Sequence, residues 1–164
     1  MSVETESAAR RARGATGLAR LRRGSLAVLM LLVVEYAIGM YVNLYVTVPG
    51  ADRGGGLDGA IANGPASLSL HAVLGLLLGL GALGVAAQSI LVRHWGLITA
   101  SVIGLLAMVF ASVAGAGFTS TGDDSASMAM SVLTGIAVLC YAANLSMLRP
   151  GARPEAGRVR TRSR

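Results

Sequence analysis

Residues 25–48 read SLAVLMLLVVEYAIGMYVNLYVTV, an unbroken apolar run with a single carboxylate, Glu35, near its middle. A helix needs about 20 apolar residues to cross the ~30 Å hydrocarbon core of a bilayer. This run is long enough. A charge at that depth costs roughly 3 kcal/mol or more unless it is protonated, paired or turned toward a polar cavity. The rest of the chain reads as three more helices that give this one company.

Working outward, Pro49-Gly50 ends the first run, because proline cannot continue the hydrogen-bond ladder and glycine relaxes the backbone. Further apolar runs follow at 66–92, 95–117 and 126–148, each at least 20 residues long. The second and third are joined by Arg93-His94, and Trp95 opens the third at a position suited to a membrane–water boundary. The loop from Phe118 to Ser125 carries Asp123 and Asp124; the earlier glycine-rich loop carries Asp52, Arg53 and Asp58, with a short surface turn expected at 57–61. Residues 1–24 and 149–164 are polar, arginine-rich and expected to be disordered. Arg22-Arg23 ahead of an apolar run has the look of an export signal. The run is too long and lacks a usable small-x-small cleavage site, so an uncleaved helix is expected.

Composition agrees. Of 164 residues 54% are hydrophobic and only 13% charged, against a usual charged share of about a quarter. Mean hydropathy is +0.65. All fourteen basic residues are arginine, and thirteen fall in the two tails or the Arg93-His94 connection, while Asp52, Asp58, Asp123 and Asp124 fall on the other side. By the positive-inside rule both termini are cytoplasmic, in a multi-pass plasma-membrane protein. A pI near 10.7 would suit nucleic acid. Here the charge sits beside apolar runs, without interleaved aromatics, so no nucleic-acid partner is expected. Cys140 is the single cysteine, which excludes an internal disulfide, a cysteine zinc site and paired-thiol redox chemistry.

The expected fold is therefore all-α, a four-transmembrane-helix bundle. Helices in lipid pack through small residues, and Gly75, Gly79, Gly104 and Gly135 suit close contacts. Ala66-Ser67-Leu68-Ser69-Leu70 matches Ala126-Ser127-Met128-Ala129-Met130, with Gly75 and Gly135 following, which suggests a parallel two-helix repeat. Similar composition alone would give the same match.

Few residues can carry chemistry. At ~1.5 Å per residue Glu35 lies near the bilayer midplane, and Asn43 and His71 fall at similar depth toward the acidic loops. Glu35, Gly39 and Asn43 recur every four residues and share one helix face. His71 is expected to bond Asn43, Tyr41 or Tyr45. These five polar residues form the candidate proton or ligand site, since an ionisable group inside a membrane is a site candidate by default. The competing reading is a Glu35 that is neutral, or bonded to Ser and Thr on neighbouring helices, and only fixes packing. No cofactor is required. Haem through His71 and a methionine, or copper through His71, Met40, Met128 and Met130, is a third reading. His94 is too far in depth to join His71 on one haem. Tyr141 and Asn144 suit the cytoplasmic boundary. No nucleophile–base set, phosphate loop or HExxH occurs, so no enzyme activity is expected.

VVEYAIGMYVNLYVTVP and LHAVLGLLLGLGAL resemble segments of a group of small four-helix integral membrane proteins of high-GC actinobacteria. That group has no established activity, so the resemblance implies location and fold. Small multidrug transporters also have four short helices and a glutamate in the first. The residues around Glu35 (Val34, Tyr36, Ala37) differ from their motif, and the arginine asymmetry opposes their dual orientation. The leading expectation is an accessory or assembly protein that meets lipid and protein partners or a second copy of itself. The alternatives are a proton-coupled carrier using Glu35 and a haem or copper binder using His71.

Overall fold

The structure is a computed structural model that describes residues 2–46, 59 and 62–149, with side chains from residue 14 onward. The expectations for Asp52, Arg53, Asp58, the turn at 57–61 and the tail from Pro150 lie outside the described residues. The described elements are four helices and no strand: α1 (Ser2–Tyr45), α2 (Ala66–Val92), α3 (Trp95–Thr121) and α4 (Asp124–Met147). Each contains a segment long and apolar enough to cross a membrane.

Helix α1 corrects the expectation of a disordered stretch over residues 1–24. The helix is continuous from Ser2, because this segment is rich in alanine and arginine, both strong helix formers, and contains no proline. It also has something to pack on. Leu21 is fully buried, and Gly24 lies against Val85 of α2. Helix α3 runs on to Thr121, past the expected end at Gly117. Gly122 stops it in a left-handed conformation, φ 70°, its N–H bonding to the Phe118 carbonyl. Asp123 then caps α4, accepting from the Ser125 N–H at 2.9 Å and the Ser125 hydroxyl at 2.7 Å. Those two donors lower its pKa. Arg93 turns α2 into α3 with φ 57°.

The helices form a ring. Helices α2 and α4 each pack on both α1 and α3; α3 and α4 share the most extensive contact, and α2 and α3 the least. Neighbours run antiparallel, and the short α2–α3 and α3–α4 connections require it there. Along α1, Gly17 meets Val92, Gly24 meets Val85, Glu35 meets Gly75 and Gly39 meets His71. Along α3, Gly96 meets Met147, Gly104 meets Tyr141 and Gly115 meets Met130.

The interior is a set of heptad seams. On α1 the buried residues are Leu21, Ser25, Val28, Leu32, Glu35 and Val42; on α2 they include Leu68, Leu78, Ala82, Val85 and Ser89. On α3 they include Leu97, Ser101, Gly104, Met108 and Ala111; on α4, Ser127, Ala137, Tyr141 and Asn144. Their spacing of three and four residues is that of left-handed knobs-into-holes packing. Polar side chains therefore point inward at several levels, while Leu91, Trp95 and Leu139 point out.

Two expectations change with this register. Tyr141 and Asn144 are core residues with no exposed surface, not boundary residues, and Asn144 Nδ2 donates to Ser101 Oγ at 2.9 Å. The segments matched as a repeat sit in different environments: Leu68 is buried where Met128 is 70% exposed. Gly75 meets Glu35, whereas Gly135 meets nothing within 4 Å.

Gly104 is the tightest point of the α3–α4 contact. A Cβ there would stand 3.0 Å from the Tyr141 ring and 3.2 Å from Cys140 Cβ. Gly104→Val is expected to lower unfolding stability by about 1–3 kcal/mol through overpacking. Gly135→Ala, in open space, is expected to be neutral or slightly stabilising. Thermal unfolding of the detergent-solubilised variants checks both.

Candidate functional site

Two glycines and two ionisable residues make the site, and they are placed reciprocally. On α1, Glu35 precedes Gly39 by four residues; on α2, His71 precedes Gly75 by four. Because the helices are antiparallel, each glycine faces the other helix's polar residue. A Cβ on Gly39 would lie 3.0 Å from His71 Cε1, and one on Gly75 would lie 3.3 Å from Glu35 Oε1. The missing side chains leave recesses that the imidazole and the carboxylate occupy.

The result is a contact of 2.9 Å between His71 Nδ1 and Glu35 Oε1. Its angle falls short of a hydrogen bond, so Nδ1 also counts among the buried polar atoms that lack one. The separation is nonetheless an ion-pair distance. Glu35 is 6% exposed, and its second oxygen, Oε2, is buried without a partner. His71 is half-buried.

The other candidate residues sort around this pair. Asn43 does not bond His71: its Oδ1 accepts from Ser127 Oγ of α4 at 2.9 Å. Tyr41 and Tyr45 point away, 54% and 75% exposed, and stack on each other with ring centroids 5.5 Å apart. Their place as partners of His71 is taken by Glu35, because the register sets Gly39, not a polar residue, opposite the imidazole. Of the methionines, Met40 and Met130 border a pocket with His71, and Met128 does not. Among the described residues no group of three or more His, Cys, Asp or Glu stands together as a metal site. Sequence reading missed Gly75, Ser127, Ser131 and Thr134. The available signal was spacing: the three α4 hydroxyls recur at i, i+4 and i+7 on one helix face.

Two cavities meet at the pair. The larger, about 520 Å³, is walled by all four helices, from Leu32, Leu78 and Met108 up to Leu68 and Thr119. Its lining is almost wholly apolar, with Glu35, His71 and Asn43 on one side. That volume lies within the roughly 300–1,000 Å³ typical of small-molecule sites. Leu76 and Leu80 of α2 and Val109 and Val113 of α3 both line it and reach the bundle surface, so its mouth lies between the two least tightly packed neighbours. The smaller cavity, about 40 Å³, lies on the α1–α4 side and is bordered by Glu35, His71, Asn43, Ser127, Ser131 and Thr134, with Tyr36, Gly39, Met40 and Met130.

Electrostatics limit what the pair can do. With one titratable proton shared between them, Glu35 and His71 would have no net charge. Removing it leaves one negative charge in an apolar interior, where an uncompensated ion costs several kcal/mol. Among the described residues α3 and α4 bring no titratable group to either cavity.

The fold and this interior define an all-helical, multi-pass membrane protein with an ionisable pair inside its bundle. No protein-family model, curated protein or solved structure matches the chain.

The fit of His71 against Gly39 yields a test. His71→Ala leaves Glu35 alone and is expected to lower unfolding stability by about 3 kcal/mol at neutral pH. Gly39→Val displaces the same ring and is expected to cost a similar amount. The double variant is expected to cost little more than either, since both remove one interaction. Fully additive losses in thermal unfolding would show that the ring position and the pair are unrelated.

Proposed function

We propose that this protein binds a lipophilic cation in the larger cavity and that binding exchanges with the proton held by Glu35 and His71. The observation that carries the reading is the buried pair on the wall of an apolar, ligand-sized cavity that opens between α2 and α3. Apolar walls select a greasy ligand. The charge count selects its sign: a cation beside Glu35 takes the place of the proton and keeps the interior neutral.

The arginine asymmetry supports a threading with both termini cytoplasmic and the larger cavity displaced toward the external leaflet of the plasma membrane. Mouth residues Leu76 and Val113, 57% and 64% exposed, would then face lipid chains. The function in this reading is binding or carriage, carried by the ligand-sized apolar cavity beside the pair. An accessory or assembly role, with protein partners or a second copy, needs neither a cavity nor a buried carboxylate. It remains the second reading, favoured by the Tyr41–Tyr45 stack, whose rings are exposed among the described residues.

The test uses tetraphenylphosphonium with detergent-purified protein in weak buffer. Saturable binding with release of about one proton per cation is expected at a pH where the free pair holds its proton, and Glu35→Gln is expected to abolish the release. Neutral triphenylphosphine is expected to bind without releasing a proton. Absence of saturable binding overturns the cavity reading. Binding without proton release overturns the exchange.

A further inference from the structure

We infer that Glu35 is served by two separate routes, one for water and protons between α1 and α4 and one for apolar molecules between α2 and α3. This deepens the proposed function and needs no knowledge of the ligand.

The two cavities share the pair, together with Gly39, Asn43, Met130 and Thr134, and differ in the chemistry of the rest of their walls. The α2–α3 mouth is formed mainly by aliphatic side chains, with one hydroxyl, Ser112, whose Oγ donates to the Met108 carbonyl at 3.0 Å. The α1–α4 pocket has hydroxyls from Ser127, Ser131 and Thr134 stacked along one face of α4. Ser131 Oγ donates to the Ser127 carbonyl at 3.1 Å and Thr134 Oγ1 to the Met130 carbonyl at 2.8 Å. Each hydroxyl oxygen therefore keeps lone pairs free to accept from water. A volume of about 40 Å³ has room for one water or a few. At its upper end Asn43 is exposed and bonded to Ser127, one turn from the acidic start of α4 at Asp124. A second, independent feature points to an occupant. Glu35 Oε2 is buried without a partner, and a carboxylate oxygen in that state calls for a donor. His71 already faces the other oxygen, and α3 and α4 bring no ionisable donor, so water in the hydroxyl-lined pocket is the chemistry that fits.

Separate routes matter for exchange. If the proton had to leave through the ligand's own entrance, an arriving apolar cation would block it. With a polar exit at its back, the carboxylate can lose its proton while the ligand approaches from the lipid side.

The test reads each route at Glu35 in full-length protein in phosphatidylcholine vesicles. Dicyclohexylcarbodiimide, an apolar reagent, reports the lipid side: the carboxyl oxygen adds to its central carbon and the carboxyl proton moves to nitrogen, a mass change assigned by peptide mass spectrometry. Infrared bands of Glu35, assigned by their loss in Glu35→Gln, report the rate of protonation after a pH jump. Val113→Trp, at an exposed mouth position, is expected to slow carbodiimide labelling about tenfold, as a barrier raised by about 1.4 kcal/mol would, and to leave protonation unchanged. Ser131→Val is expected to slow protonation by a similar factor and leave labelling unchanged, with Ser131→Thr restoring the rate. Equal slowing of both readouts by both variants, or no effect of either, overturns the two-route inference. If the routes separate while tetraphenylphosphonium releases no proton, only the ligand reading falls.

Discussion

A carboxylate cannot remain both ionised and alone inside an apolar bundle. Everything distinctive about this structure follows from how Glu35 meets that constraint. The buried faces of α1 and α2 repeat at three and four residues, and both Glu35 and His71 occupy seam positions rather than lipid-facing ones. Gly39 and Gly75 make room for them by omitting side chains where bulk would have been fatal to the contact. The glycines act less as flexible joints than as shaped absences.

The pair also explains why the bundle is not packed to uniform density. Below Glu35, Leu32, Leu78 and Met108 fill the seam with hydrocarbon. At and above it, small residues such as Gly75, Ala111, Gly115 and Ala116 leave a space that larger side chains would have closed. Two further interhelical hydrogen bonds, Asn43 with Ser127 and Asn144 with Ser101, tie α4 to α1 and to α3 at opposite ends. Polar contacts of this kind hold helices together in lipid where hydrophobic contrast between them is lacking. Helices α2 and α3 share the least extensive contact, and theirs is the seam that opens.

Much of this was legible in the sequence, and the remainder was hidden for physical reasons. Pro49-Gly50, Pro65, Arg93-His94 and the polar stretch from Phe118 to Ser125 punctuate the chain strongly enough for four helices to follow, although the third runs on to Thr121. Glu35 and His71 stand out because an ionisable group in an apolar run is costly. Their pairing did not stand out, because it depends on the register of α1 against α2, and the long connection between them does not fix register as a tight turn would. The start of α1 was misplaced because an arginine- and alanine-rich segment has the composition of a tail, yet Leu21 continues the seam. Ser127, Ser131 and Thr134 were overlooked because serine and threonine are common filler in membrane helices, and only their shared face gives them meaning. Tyr141 and Asn144 were assigned to a boundary by residue type, when their spacing from Ala137 already put them on the interior seam.

The most direct test of the interior pair exploits the fact that the chain has only two histidines, His71 and His94. In protein labelled with 15N at histidine, the ring-nitrogen resonances of His71 are expected to shift when Glu35 is replaced by glutamine, while those of exposed His94 stay in place. His71 resonances that superimpose in the wild-type and Glu35→Gln proteins across the pH range would contradict the pairing on which the site rests.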